Sequence, residues 1–165
     1  MKERKLRENY TKILYIDDRE PLKFAELVAM NATIPVEFKR MKTGDYVCEE
    51  VAIERKQISD FASSIISKKK RLWKQVDRLK KEYTYPYLFI SGKLKEVYAE
   101  VTDHAMLGSM AYCMCPKFDE HWTEIEKAIP VCWVDTDKHL AYLILKTMER
   151  HGKLKLPTGK DLVRV

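Results

Sequence analysis

The chain has 165 residues, of which 45% are hydrophobic and 34% charged, and a formal net charge of +6. This is a folded globular composition, neither disordered nor fibrous, and long enough for one domain with a buried core. The longest apolar run, 128–134, contains a proline and is too short to span a membrane, and the charged segment 1–12 lacks the apolar stretch of a secretory signal, so an intracellular protein is expected.

Residues 1–11 read as a flexible basic N-terminus. Residues 12–17 (KILYID) predict a first strand, and Pro21 then suits the first turn of a helix over 22–32. That helix is expected to turn Leu22, Ala25, Val28 and Ala29 or Met30 inward. Asp17, Asp18, Arg19 and Glu20 fall between the two elements. Taken locally they read best as a helix cap, although strand ends are also where open α/β sheets place chemistry. Residues 34–41 predict a second strand.

Residues 44–56 (GDYVCEEVAIERK) predict a hairpin turning through Glu49 and Glu50. Side chains alternate along a strand, so Glu54 and Lys56 share one face and Arg55 points to the other. With Asp45 near the start of the paired strand, two carboxylates and an ammonium converge. Residues 47, 51, 52 and 53 are apolar, which places the acids in a packed sheet, where buried carboxylates call for a counter-ion. The set suits a divalent metal, a phosphodiester and an attacking water, with Lys56 acting on that water. Arg55 is expected to pair with Asp17 or Glu20, or to bind phosphate.

A helix over 57–67 has Ile58, Phe61, Ala62, Ile65 and Ile66 on its apolar side. Asp60 reads either as a helix-start residue, which local chemistry favours, or as a fourth acid of the site. Residues 67–82 hold eight Lys or Arg against Asp77 and Glu82, a local excess equal to the net charge of the whole chain. Lys68, Lys69, Lys70 and Arg71 form a connection, and Lys74 and Arg78 lie on the following helix, which buries Leu72, Val76, Leu79 and Tyr83. The concentration fits a polyanion, nucleic acid above all, while the plainer reading is a solvated basic face. Trp73 reads as a core anchor in preference to a stacking platform.

Residues 87–91 (YLFIS) predict a buried strand, 93–101 is ambiguous, and 104–115 predicts a helix with Leu107, Met110, Ala111 and Met114 on one side. Residues 129–134 predict another strand. Asp135 or Thr136 caps a last helix carrying Leu140, Leu143, Ile144, Thr147 and Met148, and Gly152 ends it before a tail over 153–165. Cys113 and Cys115 stand one residue apart, poor zinc spacing even with His121 and Cys132 added, so reduced core thiols are the preferred reading. Strands alternating with helices around one hairpin predict a mixed sheet covered on both faces.

The run Ile16-Asp17-Asp18-Arg19-Glu20, then Gly44-Asp45, then Glu54-Arg55-Lys56 with Asp60, resembles the signature of the XPF–Hef structure-specific endonucleases. The resemblance continues more loosely through 72–79, 87–92, the helix around Gly108 and the unit near 130–150. It implies a three-layer α/β/α restriction-endonuclease-like fold with a mixed central sheet, with the nuclease domain over 12–152. It further implies Mg²⁺ or Mn²⁺ dependence and hydrolysis of branched DNA, flaps or forks, in repair or recombination. By position Asp17, Asp45 and Glu54 would hold the metal, and Arg19, Glu20, Arg55, Lys56 and Asp60 would complete the site. Lys68, Lys69, Lys70, Arg71, Lys74 and Arg78 would grip DNA. Family members act as homodimers or heterodimers, and the last strand and helix are the candidate surface here. They usually carry a tandem helix-hairpin-helix module as well, which this sequence lacks, so the preferred branch is left open. The rival reading is a DNA-binding or scaffolding subunit without catalysis, against which the intact Asp45, Glu54 and Lys56 count.

Overall fold

The computed structural model describes residues 12–68, 70–97 and 100–156; the N-terminal segment 1–11, Lys69 and the tail from 157 lie outside the described residues. The described residues form eight strands: β1 (Leu14–Asp17), β2 (Val36–Lys39), β3 (Tyr46–Cys48), β4 (Val51–Gln57), β5 (Tyr85–Ser91), β6 (Lys117–Phe118), β7 (Glu124–Glu126) and β8 (Val131–Val134). Five helices accompany them: α1 (Leu22–Asn31), α2 (Ile58–Ile66), α3 (Arg71–Glu82), α4 (Asp103–Met114) and α5 (Asp137–Arg150).

Six strands make one sheet in the order β2-β1-β3-β4-β5-β8, while β6 and β7 pair as a separate hairpin. Within the sheet β3 alone runs against its neighbours; β1 with β2, β4 with β5 and β5 with β8 are parallel. The start of β3 therefore lies at the carboxyl ends of β1 and β4, the edge where open α/β sheets place ligands. One face packs against α1 and α5 through Leu14, Ile16, Ile53, Phe89 and Ile144. The other packs against α2, α3 and α4 through Ala52, Phe61, Leu72, Ile90 and Met110. This is the expected three-layer α/β/α architecture with a mixed central sheet.

The β3–β4 turn uses two residues, with Glu49 at φ 53°. Lys153, just past the end of α5, donates to both Glu49 and Glu50 at 2.6 and 2.7 Å, and Leu154 and Leu156 join the core. The last described residues thus fold back against the hairpin.

Three helix faces differ from expectation. In α2 Ile58, Phe61 and Ala62 are buried, but Ile66, at the last turn, is exposed. In α1 the inward face is set by Phe24, which meets Tyr46 edge to face at 5.9 Å; Ala25 and Val28 follow it inside, and Leu22 and Met30 point out. In α4 the buried stripe is Met106, Met110 and Cys113, whereas Leu107, Ala111 and Met114 are exposed. The face is turned by one residue, about 100° on a helix of 3.6 residues per turn. Apolar residues surround this segment, so its pattern admits more than one stripe. The β6–β7 hairpin has no counterpart in the predicted elements, because its apolar Phe118 and Ile125 are exposed and carry no burial pattern. Cys48 and Cys113 are buried, Cys132 is half-buried on β8, and Cys115 is exposed; all four are free thiols. His104 and His121 are exposed. No described helix is long and apolar enough to cross a membrane.

Candidate active site

Asp17 ends β1 almost wholly buried, at 1% exposure. Its carboxylate accepts hydrogen bonds from the Arg19 backbone N–H at 2.8 Å, from Arg19 Nε at 2.8 Å and Nη2 at 2.7 Å, and from the Met41 N–H at 2.8 Å. Burial raises its pKa, but these bonds and the guanidinium charge outweigh it and bring the group down to about 2. Arg19 Nη2 also donates to the Met41 carbonyl at 2.8 Å.

Asp45 stands at the entry to β3. Its backbone bonds both neighbours: the Asp17 N–H donates to its carbonyl at 2.8 Å, and its own N–H donates to Ile53 at 2.9 Å. The preceding Gly44 has φ +80°, and a Cβ there would meet Val47 Cγ2 at 3.0 Å, so glycine belongs at that bend. The Asp45 carboxylate accepts the Arg55 backbone N–H at 2.7 Å. Desolvation nonetheless pushes it up to about 6, with the Asp17 charge adding to the rise and the Arg55 bond, Lys56 and the Arg55 charge opposing it.

Glu54 faces the same space from β4, 3% exposed, and no described residue donates a hydrogen bond to its carboxylate. Desolvation first, then repulsion from Asp45 and Glu20, push it up to about 8 against the pull of Lys56 and Arg78. The predicted alternation along β4 holds. Lys56 Nζ lies on the α3 side and donates to Gln75 Oε1 at 3.2 Å. Arg55 lies on the α1 and α5 side, its Cζ 4.5 Å from the Phe24 ring centroid. Its guanidinium stands 3.7 Å from Glu20 and 3.8 Å from Asp137, and Gln57, with its amide oriented to satisfy both ends, accepts from Nη2 at 2.6 Å. Glu20 also accepts the Tyr46 hydroxyl at 2.8 Å. Burial and the Asp45 charge raise Glu20 to about 7 despite Arg55 and Tyr46.

Asp45 and Glu54 open into a cleft of ≈ 20 Å³ bordered by Arg19, Lys42, Thr43, Gln75 and Arg78. That is room for about one water or ion. The Thr43 Oγ1 is buried there with no partner among the described residues. Two raised carboxylates and an unsatisfied hydroxyl are oxygen donors suited to a hard divalent cation, so Asp45 and Glu54 fit one. Asp17 is differently placed, its oxygens already taken by Arg19 and Met41. Among the described residues no three His, Cys, Asp or Glu side chains are grouped as a metal cluster.

Gln75 and Arg78 also border a second groove, of ≈ 560 Å³, between α2 and α3, with Lys56, Arg71 and Lys74 and the hydroxyls of Ser63, Ser64 and Ser67. Asp60 lines this groove, in the first turn of α2, away from the acid cleft. Lys68 is exposed in the connection, and Lys70 borders a different depression, on the far side of α3. Sequence reasoning gave no role to Lys42, Thr43, Tyr46, Gln75 or Asp137. Gln75, one turn before Arg78 on the basic helix, was the one whose position could have shown it.

The ERCC4 domain family model matches residues 16–145. The chain is 27% identical over 130 residues to the 3'-flap repair endonuclease Xpf of Saccharolobus solfataricus, covering 78% of this chain and 47% of that protein. It is 30% identical over 116 residues to a putative ATP-dependent RNA helicase of Methanocaldococcus jannaschii, covering 70% of this chain and 13% of that one. XPF from Aeropyrum pernix superposes with a TM-score of 0.65 at 21% identity, over 85% of this chain and 65% of that one. Its complex with DNA gives 0.63 at 22%, over 86% and 66%. The chain thus spans about half of one curated relative and a small part of the other, and the superpositions support the same fold. With the motif residues of β1, β3 and β4 gathered at one sheet edge inside the matched segment, this chain belongs to the ERCC4 domain family.

Proposed function

We propose that this domain is a Mg²⁺- or Mn²⁺-dependent endonuclease that hydrolyses phosphodiester bonds in branched DNA, flaps or forks, in repair or recombination. The observation that carries the reading is the buried Asp45–Glu54 pair, both pushed upward and lining a cleft that shares Gln75 and Arg78 with the basic groove holding Lys56. Two carboxylates held against each other in a dry site invite a cation. Asp45 and Glu54 would hold it, and when bound it supplies the charge that polarises the phosphate and acidifies a water.

The remaining roles belong to side chains. Lys56 Nζ, steadied by Gln75, donates to the attacking water and offsets charge on the phosphorane. Arg78, at the mouth of the cleft, takes a non-bridging phosphate oxygen, and Arg71 and Lys74 follow the backbone along the α2–α3 groove. Arg55, Glu20 and Tyr46 brace the hairpin from behind. Arg19, 58% exposed at its side chain, can exchange Asp17 for a DNA phosphate, which would release Asp17 as a third ligand. The S. solfataricus relative is named a 3'-flap repair endonuclease and the A. pernix protein was solved with DNA, which supports the substrate class. Pairing into a homodimer or heterodimer through β8 and α5 is supported by β8 lying at the open edge of the sheet and Tyr142 standing exposed on α5.

The Asp17 geometry favours one alternative, a DNA-binding scaffold without catalysis, since a carboxylate saturated by its own arginine is no ligand. Divalent-metal-dependent nicking of a labelled fork, compared with Asp45→Ala, decides between them. Cutting by the wild type and none by the variant supports the enzyme; binding without cutting by either supports the scaffold.

A further inference from the structure

Helix α3 stands between two depressions of unlike chemistry. Its buried stripe is Leu72, Val76 and Leu79. On one flank Arg71, Lys74, Gln75 and Arg78 line the groove shared with α2. On the other, Lys70, Trp73, Asp77 and Lys81 line a cavity of ≈ 860 Å³ shared with α4 and the β6–β7 hairpin. Both flanks follow the three- and four-residue spacing of one helix, so α3 is a ridge with a groove on each side.

The α2–α3 groove offers only cations, an amide, hydroxyls and Asp60, which suits the outside of a duplex, where phosphates are presented and base faces are hidden. The α3–α4 cavity adds aromatic surface. Trp73 and Tyr112 meet edge to face at 5.7 Å, and Tyr112 is 52% exposed. Five lysines line it against Asp77 and Glu126. Lys80 and Lys117 are spent on Glu126, at 2.6 and 2.5 Å, and Lys127 donates to the Tyr83 carbonyl. Among the described residues no carboxylate pairs with Lys70 or Lys81. Its volume falls within the ~300–1,000 Å³ typical of ligand sites. Aromatic rings beside unneutralised ammonium groups recognise unpaired nucleotides, which stack a base and present a phosphate together.

We propose that the α3–α4 cavity holds an unpaired DNA strand while the α2–α3 groove holds duplex, with α3 dividing the two at the branch. This rests on the nuclease reading and adds to it a means of selecting branched over linear DNA.

The test is binding of the 165-residue chain, in chelator, to a blunt duplex and to the same duplex carrying a short unpaired oligothymidine arm. Gly108 lines the cavity from α4, and a Cβ there meets nothing within 4 Å, so Gly108→Leu starts a side chain into the space with no clash at its first carbon. Tyr112→Ala removes exposed aromatic surface instead. The wild type should prefer the armed duplex, and each variant should lower that preference about tenfold, the order of one lost base–aromatic stack. Lys74→Glu should weaken binding to both DNAs. If Lys74→Glu does so while Gly108→Leu and Tyr112→Ala leave the preference intact, the cavity proposal falls and the groove reading stands. If Lys74→Glu affects neither DNA, the groove reading itself falls. A change in solution mass with Tyr112→Ala at unchanged preference would make the cavity a protein interface and overturn the proposal.

Discussion

Asp17 and Glu54 are both buried carboxylates at the same sheet edge, and their surroundings push them in opposite directions. Asp17 receives four hydrogen bonds and falls to about 2; Glu54 receives none from a described residue, faces Asp45, and rises to about 8. The first is a completed ion pair that the fold can use for stability. The second is a carboxylate that no described residue hydrogen-bonds and that Lys56 and Arg78 only partly offset, which is what a cation-dependent reaction requires. Burial alone does not mark function, since it is common to both. The missing partner does.

The largest expected effect breaks the second site. Asp45→Ala or Glu54→Ala should abolish metal-dependent cutting of a fork, with DNA binding retained because the basic groove is untouched. Lys56→Ala should slow cutting by roughly 10²–10⁴-fold, the usual range for a positioned proton-transfer group. Single-turnover cleavage measures both, and normal turnover by any of the three would remove that residue from the reaction.

Breaking the first site should show in stability. Asp17→Asn keeps the shape but gives up the charge-assisted bonds to Arg19. The expected loss is about 1–3 kcal/mol, toward the lower end because the Arg19 side chain is largely exposed to solvent. Urea denaturation reads it directly, and an unchanged midpoint would mean that water replaces Arg19 at no cost.

How far the sequence reached follows the same division. Alternation along β4 put Glu54 and Lys56 on one face and Arg55 on the other, because a strand admits no other arrangement. The capping interpretation of Asp17 failed for a long-range reason: its partners include Met41, just beyond the neighbouring strand β2, and Pro21 occupies the cap position without a side-chain bond. Asp137 beside Arg55 and Lys153 on the hairpin turn join residues far apart in the chain, which no local pattern encodes. Asp60 shows the opposite limit. Its place in the motif suggested the acid site, while local chemistry favoured a helix start; it stands in the first turn of α2 and lines the basic α2–α3 groove beside Lys56.

Acidity offers a way to sharpen the contrast without mutation. Asp45, Glu20 and Glu54 rise to about 6, 7 and 8, so between an unfolded value near 4 and those values the folded state binds more protons than the unfolded chain. Stability of the metal-free protein should therefore fall as pH rises from about 5 to 8. Asp17 runs the other way: its contribution is complete above about 4 and is lost only as the pH drops through about 2. Calorimetry in chelator should show Tm declining across that window, by roughly 2–4 °C per kcal/mol. Mn²⁺ should raise Tm more at pH 8 than at pH 5, because it binds the ionised pair. A flat profile, or equal Mn²⁺ shifts at both pH values, would separate the acid pair from metal binding.

The smallest effect concerns the basic connection into α3. Lys68 is exposed, and Lys70 enters the helix in the left-handed region at φ 51° and lines the cavity beyond it. If these lysines contact phosphate, each releases a bound counterion, and log K falls with log salt by about 0.7–0.9 per contact, depending on whether the strand is single or double. Lys68→Gln with Lys70→Gln should then flatten the slope by up to about two contacts on an armed duplex. Lys70 borders the depression proposed for the unpaired strand, so Lys70→Gln alone should flatten the slope on the armed duplex more than on the blunt one. Equal flattening on both would place Lys70 on the duplex, and would leave α3 contacting paired DNA along both its flanks instead of parting two kinds of strand.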